Sequence, residues 1–439
     1  MNNPTIQVVT TGPTSVVEVS TGPRGLKGDT GTTGATGPAQ TNASDLTEGT
    51  VDDARLPDTA RAATLAATYA RVPGSQNVII GLGDSLTLGN DTTTGTIQHG
   101  DCMLTWASLL SGGRIIHGGN AGVAGQSSTA ILGRVASDVI AKNPGSCMVL
   151  CGTNDIPGGD FTTYQANIRA IVTQLQGAGI RVFLSTMPPS GSSGYRTRIV
   201  QWNAWLRRYA QTQGVDLVDF YGLLVDSTTG DYAAGFINDG VHPNTAGWKA
   251  MGQLMSDRLC PRLPENRPAV ATDNNDPNNL LSNGLNIVDT NADGLADGPY
   301  DYSGLIAGAS RSLVTDALVP GKMQRLALGT TSGDNIIEQD MAGAGFTPGD
   351  LIAFSTVYTA TAGCAYVDIQ LNFVGGAGPN LKPIHITQAI TRGQVYIEAT
   401  VPAGTTSIAT IWRVNGVSCS ADFGQRTVYN LTALGIATP

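Results

Sequence analysis

Charge is scarce in this chain of 439 residues: Asp, Glu, Lys and Arg together make only 13% of it, and 25 basic side chains face 34 acidic ones. The formal net charge of -9 leaves no basic excess to track a phosphate backbone, so nucleic acid is excluded as a partner. Nowhere do about 18 apolar residues follow one another, so no membrane insertion is expected. The opening Met1-Asn2-Asn3-Pro4 lacks the basic and apolar stretches of a secretory leader, and the chain is expected to be soluble and not Sec-exported. Cysteine is sparse and scattered, at positions 102, 147, 151, 260, 364 and 419, without the paired spacing of a zinc site or the density of a disulfide scaffold. Most are expected as buried thiols, with Cys364 and Cys419 as the pair open to a disulfide.

Glycine is abundant, and from Gly22 to Ala39 it falls at every third position. That period suits a collagen triple helix, whose axis only glycine can occupy, against the plainer alternative of a Gly/Thr-rich linker. A collagen-like arm over 22–39 predicts a homotrimer, with 1–21 as an attachment segment. Residues Asn42 to Pro57 resemble a connector that recurs in bacteriophage tail fibres and spikes. An Ala-rich helix is expected from Pro57 to Arg71 within a 40–73 connector.

Residues 74–262 alternate short apolar runs with amphipathic helices. Val78-Ile79-Ile80, Met148-Val149-Leu150, Val182-Phe183-Leu184 and Leu217-Val218 have the length and composition of buried parallel strands. Tyr164, Ile168, Ile171 and Leu175 share one helix face after a cap at Asp160; further helices are expected over Tyr195–Gln213 and from Asn244. Repeated strand and helix imply an α/β doubly wound sheet. A Pro/Asn/Asp-rich linker over 263–278 leads to period-two alternation, as in Val367, Ile369, Leu371 and Phe373, which predicts an all-β sandwich of jelly-roll type over 279–439.

Four blocks of the α/β segment supply the parts of an acyl-transfer site. Ser85, in Gly83-Asp84-Ser85-Leu86, follows a strand where the chain must turn and present a hydroxyl. His242, in Asp239-Gly240-Val241-His242-Pro243, is a base whose Nδ1 Asp239 can reach across one tight turn, leaving Nε2 for Ser85. Oxyanion donors are the Ser85 N–H, a glycine amide and the Asn154 side chain in Gly152-Thr153-Asn154-Asp155. Gly125 is the preferred amide, at the start of an expected helix, with Gly122 as its competitor.

Together these blocks resemble the SGNH (GDSL) hydrolase superfamily over about residues 75–260. The resemblance implies a flavodoxin-like three-layer fold and a metal-independent serine esterase. It maps Ser85 to nucleophile, His242 to base, Asp239 to its partner, and Ser85, Gly125 and Asn154 to the oxyanion hole. Ester substrates such as O-acetyl groups on carbohydrate, or acyl lipids, are implied.

In the last domain Asp289, Asn291, Asp293, Leu295 and Asp297 place oxygen atoms around a glycine turn, which suits calcium as well as plain Asx turns. Tyr300, Tyr302, Tyr366 and Trp412 are candidates for stacking on sugar rings or for the core. The expectation is a trimeric phage tail fibre or minor tail protein, on the virion tail among other tail proteins, removing O-acyl groups from host surface glycan held by the sandwich. Two alternatives are lipolysis of envelope acyl esters, left open by the apolar content of Leu86, Leu88 and the loop containing Met103 and Trp106, and a catalytically silent adhesin. A secreted bacterial esterase is disfavoured by the missing leader and the collagen-like arm.

Overall fold

The computed structural model describes residues 5–11, 14–20, 75–91, 97–265, 270–342, 345–378 and 380–436. The chain divides into two compact units, Met1–Leu65 and Ala66–Pro439. In the first, strands β1 (Thr5–Thr11) and β2 (Thr14–Ser20) pair antiparallel. The collagen-like triplets of 22–39 and the connector and helix expected over 40–73 lie outside the described residues.

The second unit opens with β3 (Val78–Gly83), an apolar run buried on both faces, and the short helix α1 (Ser85–Leu88). Then come β4 (Ile97–His99), α2 (Met103–Leu110), β5 (Ile116–Gly122), α3 (Ser128–Leu132), α4 (Val135–Asp138) and β6 (Ser146–Leu150). Helix α5 (Phe161–Gly177), β7 (Arg181–Ser185), α6 (Arg196–Gln213), β8 (Asp216–Val218), α7 (Phe220–Leu224) and α8 (Thr245–Leu259) complete the α/β part. The five parallel strands stand in the order β5-β3-β6-β7-β8, the 2-1-3-4-5 arrangement of flavodoxin-like sheets. Ile80, Leu82, Cys147 and Val149 pack one sheet face against α5 and α6; Ile79, Met148, Leu150 and Phe183 face α2 and α8. Helix ends follow local chemistry: Asp160 accepts from Thr163 N, and Asn244 from Gly247 N, each satisfying a first-turn amide.

Residues 300–430 form two facing sheets. One has five strands: β10 (Ser310–Val314), β11 (Met323–Ala327), β18 (Ser420–Asn430), β13 (Leu351–Ala360) and β16 (Ile390–Thr400), in that order. The other has six: β4, β15 (Leu381–Ile386), β14 (Cys364–Val374), β17 (Ser407–Gly416), β12 (Asp334–Ala342) and β9 (Tyr300–Asp301). Strand β4 comes from the α/β part of the sequence yet runs parallel to β15, with Gly100 N donating to His385 O at 2.9 Å. Helix α2 packs on β16 as well as on α8, and a single apolar cluster runs from Trp106 and Met251 to Ile386 and Val395.

The linker expectation changes here, and two alternatives left open by the sequence close. The expected 263–278 linker is docked where it is described: Ala271 is buried, its N–H bound to Thr427 Oγ1 at 3.0 Å and its carbonyl to Gln425 Nε2 at 3.2 Å. Trp412 is fully buried, with Arg426 above its ring at 5.3 Å, so it is a core residue and unable to stack on sugar. Tyr300 and Tyr302 are exposed, and Tyr366 is half-buried with its hydroxyl on Asp334. All six cysteines are free thiols, Cys364 and Cys419 included, and only Cys260 is not fully buried.

Candidate active site

Strand β3 ends on Gly83, where a Cβ would stand 2.1 Å from Leu150 O and 2.0 Å from Thr87 Oγ1. Only glycine allows β3 to lie this close to β6 while the chain turns into α1. Asp84 caps that helix by accepting from Leu86 N at 2.9 Å, and Ser85 follows at its first position. From 157 residues along the chain, His242 Nε2 meets Ser85 Oγ at 2.8 Å. His242 Nδ1 meets Asp239 Oδ2 at 2.8 Å. The other Asp239 oxygen accepts the amides of His242 at 2.8 Å and Val241 at 3.0 Å. The His242 amide, followed by its ring, holds the Asp239 carboxyl down at about 2. Asp239 is therefore anionic at neutral pH, fixing the ring tautomer with Nε2 free to accept the Ser85 proton. Gly240, at φ +91, makes the turn that three residues must close, and Tyr232 Oη donates to Val241 O at 2.7 Å from below.

The expected oxyanion donors sit beyond neighbouring strand ends. Gly122 N donates to Asn120 Oδ1 at 2.9 Å and is thereby removed from the contest. The amides of Gly125, at φ +76, and Ser85 have no partner among the described residues. The expected helix opens at Ser128, so Gly125 lies in the turn before it. Gly152 holds φ +118 where a Cβ would strike Met187 Sδ and Tyr164 Cε2, both at 2.7 Å, and starts the 3-10 turn Thr153–Asp155. On that turn Asn154 Nδ2 gives one hydrogen to Gln126 O at 3.1 Å, leaving its second for an oxyanion.

Sequence reasoning missed the residues that tie these loops together. Arg134 binds Gly83 O and Ala121 O at 2.6 Å each, Gln126 Oε1 at 2.5 Å and Asp138 at 2.9 Å. Asp155 accepts Ser128 N at 2.8 Å and Ser128 Oγ at 2.7 Å, joining the Asn154 turn to α3. Asp155 belongs to the Gly152-Thr153-Asn154-Asp155 block; Arg134 carries no local signal.

Behind the nucleophile Asp91, Cys102 and His117 are buried with potential metal ligands within 4.8 Å of one another. They do not fit an ion: Asp91 already accepts from His99 N at 2.6 Å, Thr105 Oγ1 at 3.3 Å, His117 Nε2 at 3.0 Å and Asn120 Nδ2 at 3.2 Å. Asn120 also donates to Thr87 O and Leu88 O, so the network anchors the far end of α1. The loop expected to suit calcium is shaped by its own hydrogen bonds. Asp289 accepts the amides of Asp293 and Gly294, and Asn291 also accepts from Asp293 N. Asp293 binds Leu295 N and Arg311, and Asp297 binds the amide and hydroxyl of Thr290. These bonds close the loop as a set of Asx turns around Gly294.

Two hollows flank the triad. A cleft of about 450 Å³ is lined by Ser85, Asn90, Asp101, Asn238, His242 and Asn244. A smaller hollow of about 110 Å³, lined by Asn154, Ile156, Met187, Tyr195, Ile199 and Val241, is mostly apolar. Leu86, Met103 and Trp106 are fully buried, and of these four residues only Leu88 lines the cleft.

Two outcomes test this geometry. Asn154→Ala should lower kcat about 100-fold, the loss of about 3 kcal/mol of oxyanion stabilisation, with the melting temperature little changed. Asp84 is fully buried, and its Oδ2 has no partner among the described residues; burial pushes this carboxyl up to about 7. The folded chain thus holds a proton that the unfolded chain releases near its ordinary value of about 3.9, so this contribution to stability fades as pH rises from about 4 through about 7. Thermal melts between about pH 5 and pH 8 should show a fall that Asp84→Asn flattens.

No curated protein matches the chain. Among solved structures it is similar to a G-D-S-L family protein from Desulfitobacterium hafniense DCB-2, at 24% identity over 42% of this chain and 99% of the other, with a TM-score of 0.37. A GDSL-like lipase from Bacteroides thetaiotaomicron VPI-5482 matches at 22% identity over 48% and 100%, with a TM-score of 0.36. Axe2, an acetylxylan esterase from Geobacillus stearothermophilus, matches at 19% identity over 42% and 95%, with a TM-score of 0.37. Residues 82–250 match the model of the GDSL-like Lipase/Acylhydrolase family, so the chain carries a GDSL-like hydrolase domain and is a carboxylic ester hydrolase.

Proposed function

We infer that this hydrolase removes short acyl groups, acetyl foremost, from the hydroxyls of a host surface glycan. The observation that carries this is the unbroken Asp239–His242–Ser85 hydrogen-bond chain, flanked by a polar cleft and a small apolar hollow. The hollow of about 110 Å³ is smaller than the ~150 Å³ cavity that accepts benzene, so it suits a short acyl chain and excludes a long one. The cleft, with Asn90, Asp101, Asn238 and Asn244, offers hydrogen bonds suited to a carbohydrate alcohol.

In mechanism, Ser85 Oγ attacks the ester carbonyl carbon as His242 Nε2 takes its proton, and Asp239 stabilises the imidazolium. The oxyanion receives hydrogen bonds from Ser85 N–H, Gly125 N–H and the free Asn154 N–H. Collapse breaks the bond to the alcohol oxygen, which leaves with the proton from His242. Water, deprotonated by the same nitrogen, then attacks the acyl-serine and releases the acid, restoring Ser85.

On p-nitrophenyl esters, kcat/KM should be greatest for acetate and butyrate and fall by about tenfold or more at eight carbons, with Ser85→Ala inactive on all. A maximum at long chains would favour lipolysis instead. Glycan binding without release of acid from any ester would leave an adhesin.

The wider setting belongs to the same proposal. The Gly-X-Y triplets of 22–39 and the tail-fibre-like connector of 42–57 support a homotrimeric phage tail protein, built with other tail proteins and acting outside the host cell. Strand orders β11-β18-β13-β16 and β12-β17-β14-β15 support a jelly-roll sandwich, with exposed Tyr300 and Tyr302 offered to glycan. Light scattering on the full chain should give three times 45.3 kDa; a monomer contradicts the trimeric fibre.

A further inference from the structure

Helices α5 and α6 leave a groove of about 390 Å³ on the outer face of the α/β part, lined by Arg169 and Thr173 from one and Trp205, Arg208, Tyr209 and Thr212 from the other. Positions four apart share a helix face, so Arg169 and Thr173 look across at Trp205 and Tyr209. Both helices start at the catalytic end of the sheet, and these residues lie from the midpoint of α5 and in the later half of α6, towards the opposite end. The groove shares no lining residue with the catalytic cleft.

Two features set this groove apart from an ordinary solvated helix face. Trp205 and Tyr209, each half-buried, stack face to face with centroids 5.1 Å apart and planes at 13°, and both line the groove. Trp205 also meets Phe161 and Tyr164 edge to face, so the stack is fixed in place. The second feature is charge. In a chain with net charge -9, neither Arg169 nor Arg208 has a carboxylate within ion-pairing distance among the described residues. Arg169 instead lies 5.3 Å from the Trp205 ring centre, an arrangement that keeps its guanidinium edge available to an anion.

We propose that this groove is a second carbohydrate-binding site, specific for an anionic glycan such as a uronic acid polymer. A sugar ring lays its C–H face on Tyr209, at the outer end of the aromatic stack, its carboxylate meets the forks of Arg169 and Arg208, and Thr173 and Thr212 serve its hydroxyls. Carboxylate recognition by two guanidinium groups supplies selectivity that the aromatic surface alone lacks, since any sugar can stack. The site acts independently of acyl transfer and does not rest on the acyl group or glycan assigned to the cleft.

Calorimetry on the full chain carrying Ser85→Ala, with a galacturonic acid hexamer and its neutral galactose counterpart as probes, tests this without turnover. The acidic hexamer should bind at least about tenfold more tightly than the neutral one, and more weakly as salt is raised. Arg208→Gln, at an exposed side chain with no hydrogen bond or ion pair among the described residues, and Arg169→Gln should each weaken the acidic hexamer about fivefold or more. In the chain with Ser85 intact, Arg208→Gln should leave p-nitrophenyl acetate hydrolysis unchanged. Failure of the acidic hexamer to bind, equal binding of the two probes, or binding indifferent to both arginine changes would overturn the proposal. So would a fall in particle mass on Arg169→Gln with Arg208→Gln, which would make a second copy of the chain the occupant.

Discussion

The parallel pairing of β3 with β5 on one side and β6 on the other is the constraint from which the site follows. Its register sets Gly83 beside Gly122 and Leu150, so three chain segments leave the sheet at one level and from adjacent positions. Ser85 comes from the first, Gly125 from the second and Asn154 from the third. In a 2-1-3-4-5 sheet the neighbours of the first strand turn away to opposite faces, and a crevice opens above it. Strand order thus brings Ser85, the Gly125 amide and Asn154 to one mouth of the sheet. Arg134 and Asp155 then hold the three exits together with hydrogen bonds to backbone carbonyls, an amide and side chains.

What the sequence disclosed and what it concealed divide by range. Asp239 and His242 were legible because their contact closes within one turn, and the caps Asp160 and Asn244 because a cap is a local bond. The strands β3, β6 and β7 announce themselves as apolar runs buried on both faces. By contrast β5, Ile-His-Gly-Gly-Asn-Ala-Gly, looks like a loop; it is a strand because it lies along β3, whose backbone groups fix its path. Helix α2 was equally hidden, since burial against α8 and β16 is what gives its apolar residues their place. Arg134 and the His117–Asp91 pair could not be found from spacing, because their partners are backbone carbonyls or residues 26 positions away. Trp412 went the other way: an aromatic in a strand offers no sign of its sheet face until the register is known.

The catalytic and sandwich parts are less separate than their compositions suggest. Composition changes sharply after residue 262, yet the apolar interior continues across the join, through Trp106, Met251 and Leu263 to the strands of the sandwich. Asp101, which lines the cleft, follows directly on β4, and its side chain accepts from Asn90 at 3.0 Å. The cleft wall therefore leans on a strand that belongs to the sandwich sheet.

That shared strand bears on how such a chain can be altered by recombination. Modules joined by a loose tether can be exchanged without regard to their neighbours, whereas β4 donates the backbone of one module to the edge of the next. A replacement sandwich would have to present a bare edge at the position of β15, in parallel orientation, or leave three residues beside the catalytic cleft without partners. Inheritance of the two parts as one block is the consequence.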